Sequence, residues 1–450
     1  MKFYQKIILT SAMLGAGAHT AEAQQTQVFS NEERYLHEGL ELFDREKYGA
    51  AQQAFAKYIS LVGDENRTAD AQYYYAVSGL YLFHPDAEKL VLNFASRYPS
   101  HPKAGLAYYE LGLFYFDKKD YKKTIEYLTR VPKVNLDQDQ LREAEFKQAY
   151  SYFAEKDFDK AKPLFDRNKS GQHKYSYASS YYAGYIALRN GDYAGAKKDL
   201  RVAEQNEAYR AVVPSMLIQI LYKENNLDEV ITYGEKVLAG KPKPQNADEI
   251  TLLVGDAYFK KNDFKTAAEY FNDYSKGRRN IENGVQYKIG YANYKTDNYK
   301  QAIVNFKDVA LQKDSLGQNA AYHLGLSYLK DNNKQYAMAA FNQARNQEFA
   351  REIAEAAAIK YAQLNYENGN FREVISSLAD FNRKFPNSKF SAEADDILSE
   401  SYLNSNNYLA AIRHIEGLNK RSSRINETYQ KVTYYQAVSY FNDSKFAEAL

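Results

Sequence analysis

The stretch Asn283–Phe306 reads NGVQYKIGYANYKTDNYKQAIVNF, and it holds one complete copy of a pattern that runs through the chain. Within it, Gly290 is followed nine residues later by Tyr299, twelve later by Ala302 and sixteen later by Phe306. Because Gly290 and Ala302 have little bulk, we expect two helices to approach closely at these residues. The two aromatic side chains then fill the space toward neighbouring units.

The same offsets recur along the chain at a nearly constant period. The aromatic residue after the turn is repeated every 35 to 38 residues wherever two well-formed copies are consecutive. Two further copies are degenerate: one carries Ala76 and Ala87 with a shortened turn, and the other carries Leu227 and Val230. Such a period predicts an array of structural repeats, and we count twelve units. The small residue that opens each well-formed copy is Gly39, Gly112, Ala149, Gly184, Gly255, Gly290, Gly325, Ala362, Ser399 or Ala437.

The repeated pattern resembles that of the tetratricopeptide repeat (TPR) family. It consists of a small residue, an aromatic residue, alanine and a second aromatic residue, and it recurs about every 36 residues. The resemblance covers essentially all of residues 32–450. It implies an all-α fold, a right-handed superhelical solenoid of about twelve antiparallel helix pairs, because one pair cannot bury its own apolar face. A short polar residue stands before the aromatic residue and should cap the second helix. These predicted caps are Asp120, Asp157, Asp192, Asp263, Asn298, Asn370 and Asn407.

The first residues have the pattern of an export signal. Lys2 and Lys6 form a basic start, residues 7–18 are apolar-leaning, and Ala21-Glu22-Ala23 is a small-x-small cleavage pattern. We therefore predict a signal peptide at residues 1–23, cleaved after Ala23, and a short linker at residues 24–31. Twelve such residues are too few to span a bilayer, which needs about 20.

These features predict a periplasmic protein. Tyr98–Ala104 and Phe385–Ala392 resemble the aromatic-proline link of a TPR subtype common in exported proteins of the Gram-negative envelope. The chain has no cysteine, so we expect no lipid anchor, and we expect no direct membrane insertion of this segment. The last unit stops at Leu450, one residue after the alanine of its second helix, so we expect a truncated repeat and a native chain that continues.

The sequence does not contain the patterns of catalytic or metal sites. It has no phosphate-binding loop, no nucleophile elbow and no His-Glu-x-x-His motif. The absence of cysteine excludes thiolate zinc sites, and no histidine has a second one three to five residues away. We interpret His323 as a solvent-exposed or core-edge side chain. We therefore predict no enzyme activity, no cofactor and no metal.

The charge balance argues against nucleic acid as a partner. The 59 lysines and arginines nearly match the 57 aspartates and glutamates, so there is no broad basic footprint. Lys118, Lys119, Lys122 and Lys123 do cluster in one turn. Because acidic residues are interspersed, we interpret this cluster as a solvated face.

The resemblance also implies a binding groove. In the TPR family, the positions three before and one after the small residue of the first helix face the concave groove. Tyrosine at such positions offers a large rigid surface and a hydroxyl group. The alternative is that these rings pack between adjacent first helices. The predicted groove residues are Tyr109, Phe146, Tyr150, Tyr181, Tyr185, Tyr287, Tyr291, Tyr322 and Tyr434.

The resulting functional hypothesis is a periplasmic scaffold that binds a protein or peptide partner during envelope assembly or maintenance. One alternative is the periplasmic arm of an exopolysaccharide export or modification system, in which the groove would bind a polysaccharide. Another is the input domain of a signalling protein. The residues alone leave these alternatives open.

Overall fold

The computed structural model describes residues 32–450, so the predicted signal peptide and linker lie outside the described residues. Across residues 32–450 the chain forms helices and no strand, which confirms the all-α fold class and the twelve helix pairs. Short 3₁₀ helices at Lys133–Asn135 and Glu207–Tyr209 follow the third and fifth pairs. The α-helices are α1 (Glu33–Asp44), α2 (Tyr48–Val62), α3 (Ala69–Tyr81), α4 (Ala87–Arg97), α5 (Pro102–Asp117), α6 (Tyr121–Thr129), α7 (Gln138–Ala154), α8 (Phe158–Asn168), α9 (Ser176–Arg189), α10 (Tyr193–Ala203), α11 (Val213–Lys223), α12 (Leu227–Ala239), α13 (Ala247–Lys260), α14 (Phe264–Ser275), α15 (Asn283–Lys295), α16 (Tyr299–Ala310), α17 (Ser315–Lys330), α18 (Lys334–Arg345), α19 (Arg351–Glu367), α20 (Phe371–Lys384), α21 (Ser391–Asn404), α22 (Tyr408–Glu416), α23 (Ser423–Asn442) and α24 (Phe446–Ala449).

The chain divides into two compact units. Unit 1 comprises the described residues up to Ile186, and unit 2 runs Ala187–Leu450, so the boundary falls inside α9. In both units the odd-numbered helix of each pair is the first helix and the even-numbered helix is the second. Most helices within a unit pack against the next one along the chain, as α1 does with α2 and α16 with α17.

The turn inside each helix pair has the same backbone geometry in all twelve pairs. One residue adopts a left-handed conformation, and the N–H of the following residue donates to a carbonyl five residues back, for example Asp120 N–H to Tyr115 O at 2.9 Å. Both degenerate units follow this rule, which supports the count of twelve. The left-handed residues are Glu46, Phe83, Lys119, Lys156, Gly191, Asn225, Asn262, Asp297, Asn332, Gly369, Asn406 and Ser444.

The predicted helix caps are confirmed for aspartate and wrong for asparagine. Asn298, Asn370 and Asn407 make no side-chain cap hydrogen bond. The amides of the first two instead donate to an asparagine of the preceding helix, Asn293 Oδ1 at 3.0 Å and Asn365 Oδ1 at 3.2 Å. An amide can donate in this way, whereas a carboxylate only accepts. The aspartates that accept the N–H three residues later are Asp120, Asp157, Asp192 and Asp263.

The expected close approach of the two helices is present where the small residue is glycine. A Cβ atom at Gly290 would lie 2.8 Å from Cε1 of Phe306, whose ring is fully buried. Phe341 meets Gly325 in the same way, at 2.7 Å. The ring therefore occupies the space that a methyl group on the first helix would need, and glycine is required by packing at these positions.

The turn between α3 and α4 differs from its prediction. The close spacing of Ala76 and Ala87 suggests a shortened turn, but α4 begins at Ala87 itself. In α16 the corresponding Ala302 is the fourth helical residue. Residues 82–86 therefore form a longer connection than residues 118–120 between α5 and α6, and the second helix has lost its first turn.

Candidate functional site

Tyr109, the predicted groove residue on α5, is a buried bridge between helices. It is 4% exposed, and its hydroxyl donates to Glu143 Oε2 on α7 at 2.9 Å. Tyr175 donates to the other oxygen of the same carboxylate, also at 2.9 Å. Burial, together with the negative charge of Glu143, raises the pKa of Tyr109. Both hydroxyls are thus held by one carboxylate.

Phe146 and Tyr150 on α7 pack inside an aromatic cluster. Phe146 stacks on Tyr175 with ring centroids 4.7 Å apart. Tyr150 lies edge-on to Phe116 at 5.6 Å and to Tyr121 at 5.8 Å, both from the preceding repeat. These rings join consecutive repeats to one another.

Tyr181 and Tyr185 on α9 lie nearer to solvent. Tyr185 meets Phe153 edge-on at 5.4 Å and is 36% exposed. Tyr181 is half-buried and lies edge-on to Tyr182 at 5.1 Å. Of the five predicted residues in unit 1, Tyr185 presents the most exposed ring.

In unit 2, Tyr287, Tyr291 and Tyr322 surround His323 on α17. Their ring centroids lie 5.9, 5.1 and 5.5 Å from the imidazole. His323 Nδ1 lies 2.9 Å from the carbonyl oxygen of Asn319 and 3.3 Å from the hydroxyl of Tyr287. Burial lowers the pKa of His323. Of the two environments expected for His323, solvent-exposed or core-edge, the structure shows the core edge. The sequence did not predict that aromatic rings surround it.

The predicted groove positions therefore serve packing to a large extent. Tyr150, Tyr185 and Tyr291 stand one position after the small residue, and their rings contact rings of the preceding repeat. Tyr109 and Tyr287 stand three positions before it, and they are buried or half-buried. Contact of these residues with a partner stays a prediction. Tyr434 on α23 differs from the others, because it is 65% exposed.

Sequence reasoning missed a set of hydrogen bonds from tyrosine hydroxyls to carboxylates of other helices. The partners are 23 to 39 residues apart in the chain, about one repeat. The chain's 43 tyrosines were a signal of this, but spacing alone does not pair them. The pairs include Tyr81–Glu110, Tyr115–Glu88, Tyr127–Glu88, Tyr222–Asp256, Tyr233–Glu204, Tyr258–Glu235, Tyr270–Glu235 and Tyr366–Glu400.

One surface of unit 1 combines exposed rings with charged groups, and we name it the odd-helix face: Tyr81, Glu110, Glu143, Lys147 and Tyr185. Tyr81 is 40% exposed and donates to Glu110 Oε2 at 2.7 Å. Lys147 Nζ lies 3.3 Å from Glu143 Oε1. All five residues belong to the first helices α3, α5, α7 and α9.

The rings of α5 and α7 connect the charged part of this face to Tyr185. Lys147 Nζ lies 5.1 Å above the ring of Phe116, which contacts Tyr150. Tyr150 contacts Phe153, and Phe153 contacts Tyr185. Contacts therefore run without a gap from Lys147 to Tyr185, and Glu110 lies near enough to Glu143 and Lys147 for their charges to act on its pKa.

The two carboxylates of the odd-helix face are held differently. Burial raises the pKa of Glu110, and the charge of Glu143 adds to this effect, while Tyr81 and Lys147 act in the opposite direction. Burial also acts on Glu143, but Lys147 and the hydroxyls of Tyr109 and Tyr175 outweigh it and lower its pKa. Among the described residues, Glu110 has no cation within ion-pair distance, whereas Glu143 has Lys147.

A cavity of about 450 Å³ adjoins Glu143. It is lined by charged and polar side chains, among them Arg142, His173 and Tyr175. Within residues 32–450 no helix is both long and apolar enough to cross a membrane. In the same residues, no three candidate ligand side chains come together as a metal site.

Comparison with known proteins yields matches to tetratricopeptide repeat models at residues 106–137, 143–167 and 319–348. No curated protein matches this sequence significantly. Among solved structures, the C-terminal part of a TPR repeat-containing protein from Cytophaga hutchinsonii is 17% identical, with a TM-score of 0.40, and the match covers 55% of this chain and 98% of that one. A tetratricopeptide repeat protein from Parabacteroides merdae is 18% identical, with a TM-score of 0.31, over 58% of this chain and 99% of that one. The family-model matches therefore support tetratricopeptide repeats at these three segments of the chain.

Proposed function

We propose that this chain is an exported periplasmic scaffold that binds a basic segment of a protein partner on the odd-helix face. TPR repeats generally bind protein partners. The observation that carries the proposal is the half-buried carboxylate of Glu110, which accepts a hydrogen bond from Tyr81 and has no cation of its own among the described residues.

A carboxylate that is partly removed from water and has no cation within ion-pair distance is costly for the free protein. A lysine or arginine of a partner would lower this cost by forming a charge-assisted hydrogen bond with Glu110. The rings of Tyr48 and Tyr81 stack at 4.5 Å beside this carboxylate. Because a guanidinium group stacks favourably on aromatic faces, arginine fits this position better than lysine.

Export is supported by the signal-peptide pattern of residues 1–23. The test is mass spectrometry of the protein isolated from its native cells. We expect a mature chain that begins at Gln24 and fractionates with periplasmic proteins. A chain that retains Met1 and stays in the cytoplasm would contradict the periplasmic assignment.

Binding is tested by placing a photo-crosslinking residue at Tyr185 in the exported protein. We expect capture of one dominant protein, with the crosslink next to basic residues of its sequence. Glu110→Gln should reduce this capture, because the amide keeps the size of the side chain but loses its charge. The control position is Val134, which is 90% exposed in the connection between α6 and α7. Equal capture from both positions would contradict the proposed site.

A polysaccharide partner is the second candidate function, and a different surface favours it. Tyr434 and Tyr435 on α23 are 65% and 44% exposed, with ring centroids 5.6 Å apart. Such rings offer an apolar face together with a hydroxyl group. A crosslinker at Tyr434 that captures glycan, while the one at Tyr185 captures no protein, would favour this candidate.

A further inference from the structure

Phe83 in the turn between α3 and α4 has an unfavourable backbone conformation. Its φ angle is +59°, in the left-handed region that a bulky side chain rarely adopts. The other eleven turns place glycine, asparagine, aspartate, serine or a flexible charged residue at this position. Phe83 is the one aromatic residue among them, and the fold itself does not require a ring there.

Packing does not compensate for this conformation, because Phe83 is 69% exposed. Its ring lies 5.8 Å from that of Phe114 on α5, and Lys118 Nζ lies 5.4 Å above it. Phe83 therefore departs from the residue types that favour a left-handed conformation, and its small burial does not return this cost in stability. Such exceptions concentrate at functional sites.

Lys118, which lies above the Phe83 ring, stands in a basic turn of the chain. Lys118, Lys119 and Lys122 are exposed, and none is within ion-pair distance of a carboxylate in residues 32–450, whereas Lys123 is paired with Glu88 at 2.9 Å. Asp117 beside them lies 3.7 Å from Lys147, and the carboxylate of Asp120 caps α6. The lysines of this turn are therefore available to an external anion.

We propose that Phe83, Phe114, Lys118, Lys119 and Lys122, here named the Phe83 patch, dock an acidic peptide segment that carries an apolar side chain. The apolar side chain would lie on the two phenylalanine rings, and the acidic side chains would meet the lysines. Phe114 follows Glu110 by four residues on α5, so the patch borders the odd-helix face. The inference rests on the proposed function. It adds a second binding surface, which prefers acidic residues of the partner, whereas the odd-helix face prefers basic ones.

Two synthetic peptides test this inference on the full mature chain. In the first, glutamates flank one tryptophan, and in the second, arginines flank it. The chain has no tryptophan, so the peptide fluorescence can be excited selectively. We expect the acidic peptide to bind wild type, and its affinity to fall when glutamine replaces its glutamates or when salt is added.

Variants separate docking from folding. Phe83→Asn removes the ring and places a residue that tolerates the left-handed conformation, so its melting midpoint should equal or exceed that of wild type. Its affinity for the acidic peptide should be about tenfold weaker or worse, as for an interface hot spot. Lys118→Gln should weaken binding about two- to fivefold. Asn332→Phe builds the same turn outside the patch, and we expect it to lower the melting midpoint without any gain in peptide binding.

The two peptides also separate this inference from the proposed function. Binding of the arginine peptide that depends on Glu110, without binding of the acidic peptide, would overturn the Phe83 patch and leave the odd-helix face intact. Acidic-peptide binding that Phe83→Asn does not change would also overturn the patch. Acidic-peptide binding that this variant abolishes would support the patch, even if the arginine peptide failed to bind.

Discussion

Substitution of Gly290 by alanine tests the close packing of glycine against phenylalanine inside a helix pair. The new Cβ would lie 2.8, 2.9 and 3.1 Å from three ring atoms of Phe306, which is fully buried and has little space to shift. Overpacking of this kind costs about 1–3 kcal/mol. Alanine recovers about 1 kcal/mol through its higher helix propensity. We therefore expect Gly290→Ala to lower the free energy of unfolding by up to about 2 kcal/mol.

The matched control is Gly284→Ala in the same helix, α15. The nearest atom to its new Cβ would be Glu282 Oε1 at 3.6 Å, an ordinary contact, so this variant should keep or raise stability. The assay is urea denaturation of both variants, with hydrogen exchange of the α15 and α16 amides to locate the effect. We expect faster exchange in α15 and α16 of Gly290→Ala only. A Gly290→Ala protein as stable as Gly284→Ala would refute the argument that glycine is required there.

Three further predictions concern turns and titrating groups. Gly191→Ala should lower the free energy of unfolding by about 1–2 kcal/mol, because a residue with a Cβ is strained at its φ of +79° even though the new Cβ would contact no other atom. Lys156→Gly should relieve the same kind of strain and raise the free energy of unfolding. The urea denaturation midpoints of both variants would show this. The lowered pKa of Glu143 stabilises the fold above 4.5, its ordinary value, and this contribution is lost as the pH falls through the folded-state value, so Glu143→Gln should flatten the acid limb of a stability profile. Burial and Glu235 raise the pKa of Tyr270 to about 12. The fold therefore loses stability as the pH rises above 10, the ordinary pKa of tyrosine, toward this raised value. In Glu235→Gln, tyrosinate absorbance should show the titration of Tyr270 moved toward 10.

Much of the fold follows from local chemistry that the sequence displays. Glycine opposite phenylalanine, as in Gly290 and Phe306, and aspartate before the second helix, as in Asp120, each have one physical reason, and the structure bears both out. Asparagine misled the cap prediction because Asn298 can donate as well as accept, and its donor found Asn293. The prediction of a shortened turn after α3 was also wrong, since spacing does not reveal where a helix begins.

The candidate site was less predictable, since it depends on contacts between repeats. The sequence indicates that Tyr109 and Tyr185 lie at first-helix positions, but burial distinguishes them: Tyr109 is bound to Glu143, whereas Tyr185 keeps an exposed ring. Glu110 was not singled out at all, because nothing local to it shows that Tyr81 of the preceding repeat donates to it. The Lys118 cluster was visible in the sequence, while the exposed ring of Phe83 beside it was not.

The most direct test of the proposed binding site is the pH dependence of arginine-peptide binding to wild type and to Glu110→Gln, measured by the peptide's tryptophan fluorescence. A cationic ligand favours the ionised carboxylate, and burial raises the pKa of Glu110 above its ordinary value of 4.5. Wild-type affinity should therefore be highest above this raised pKa and fall as the pH drops through it. Glu110→Gln should bind more weakly and lack this dependence. Identical pH profiles for the two proteins would contradict the assignment of Glu110 as the partner's binding site.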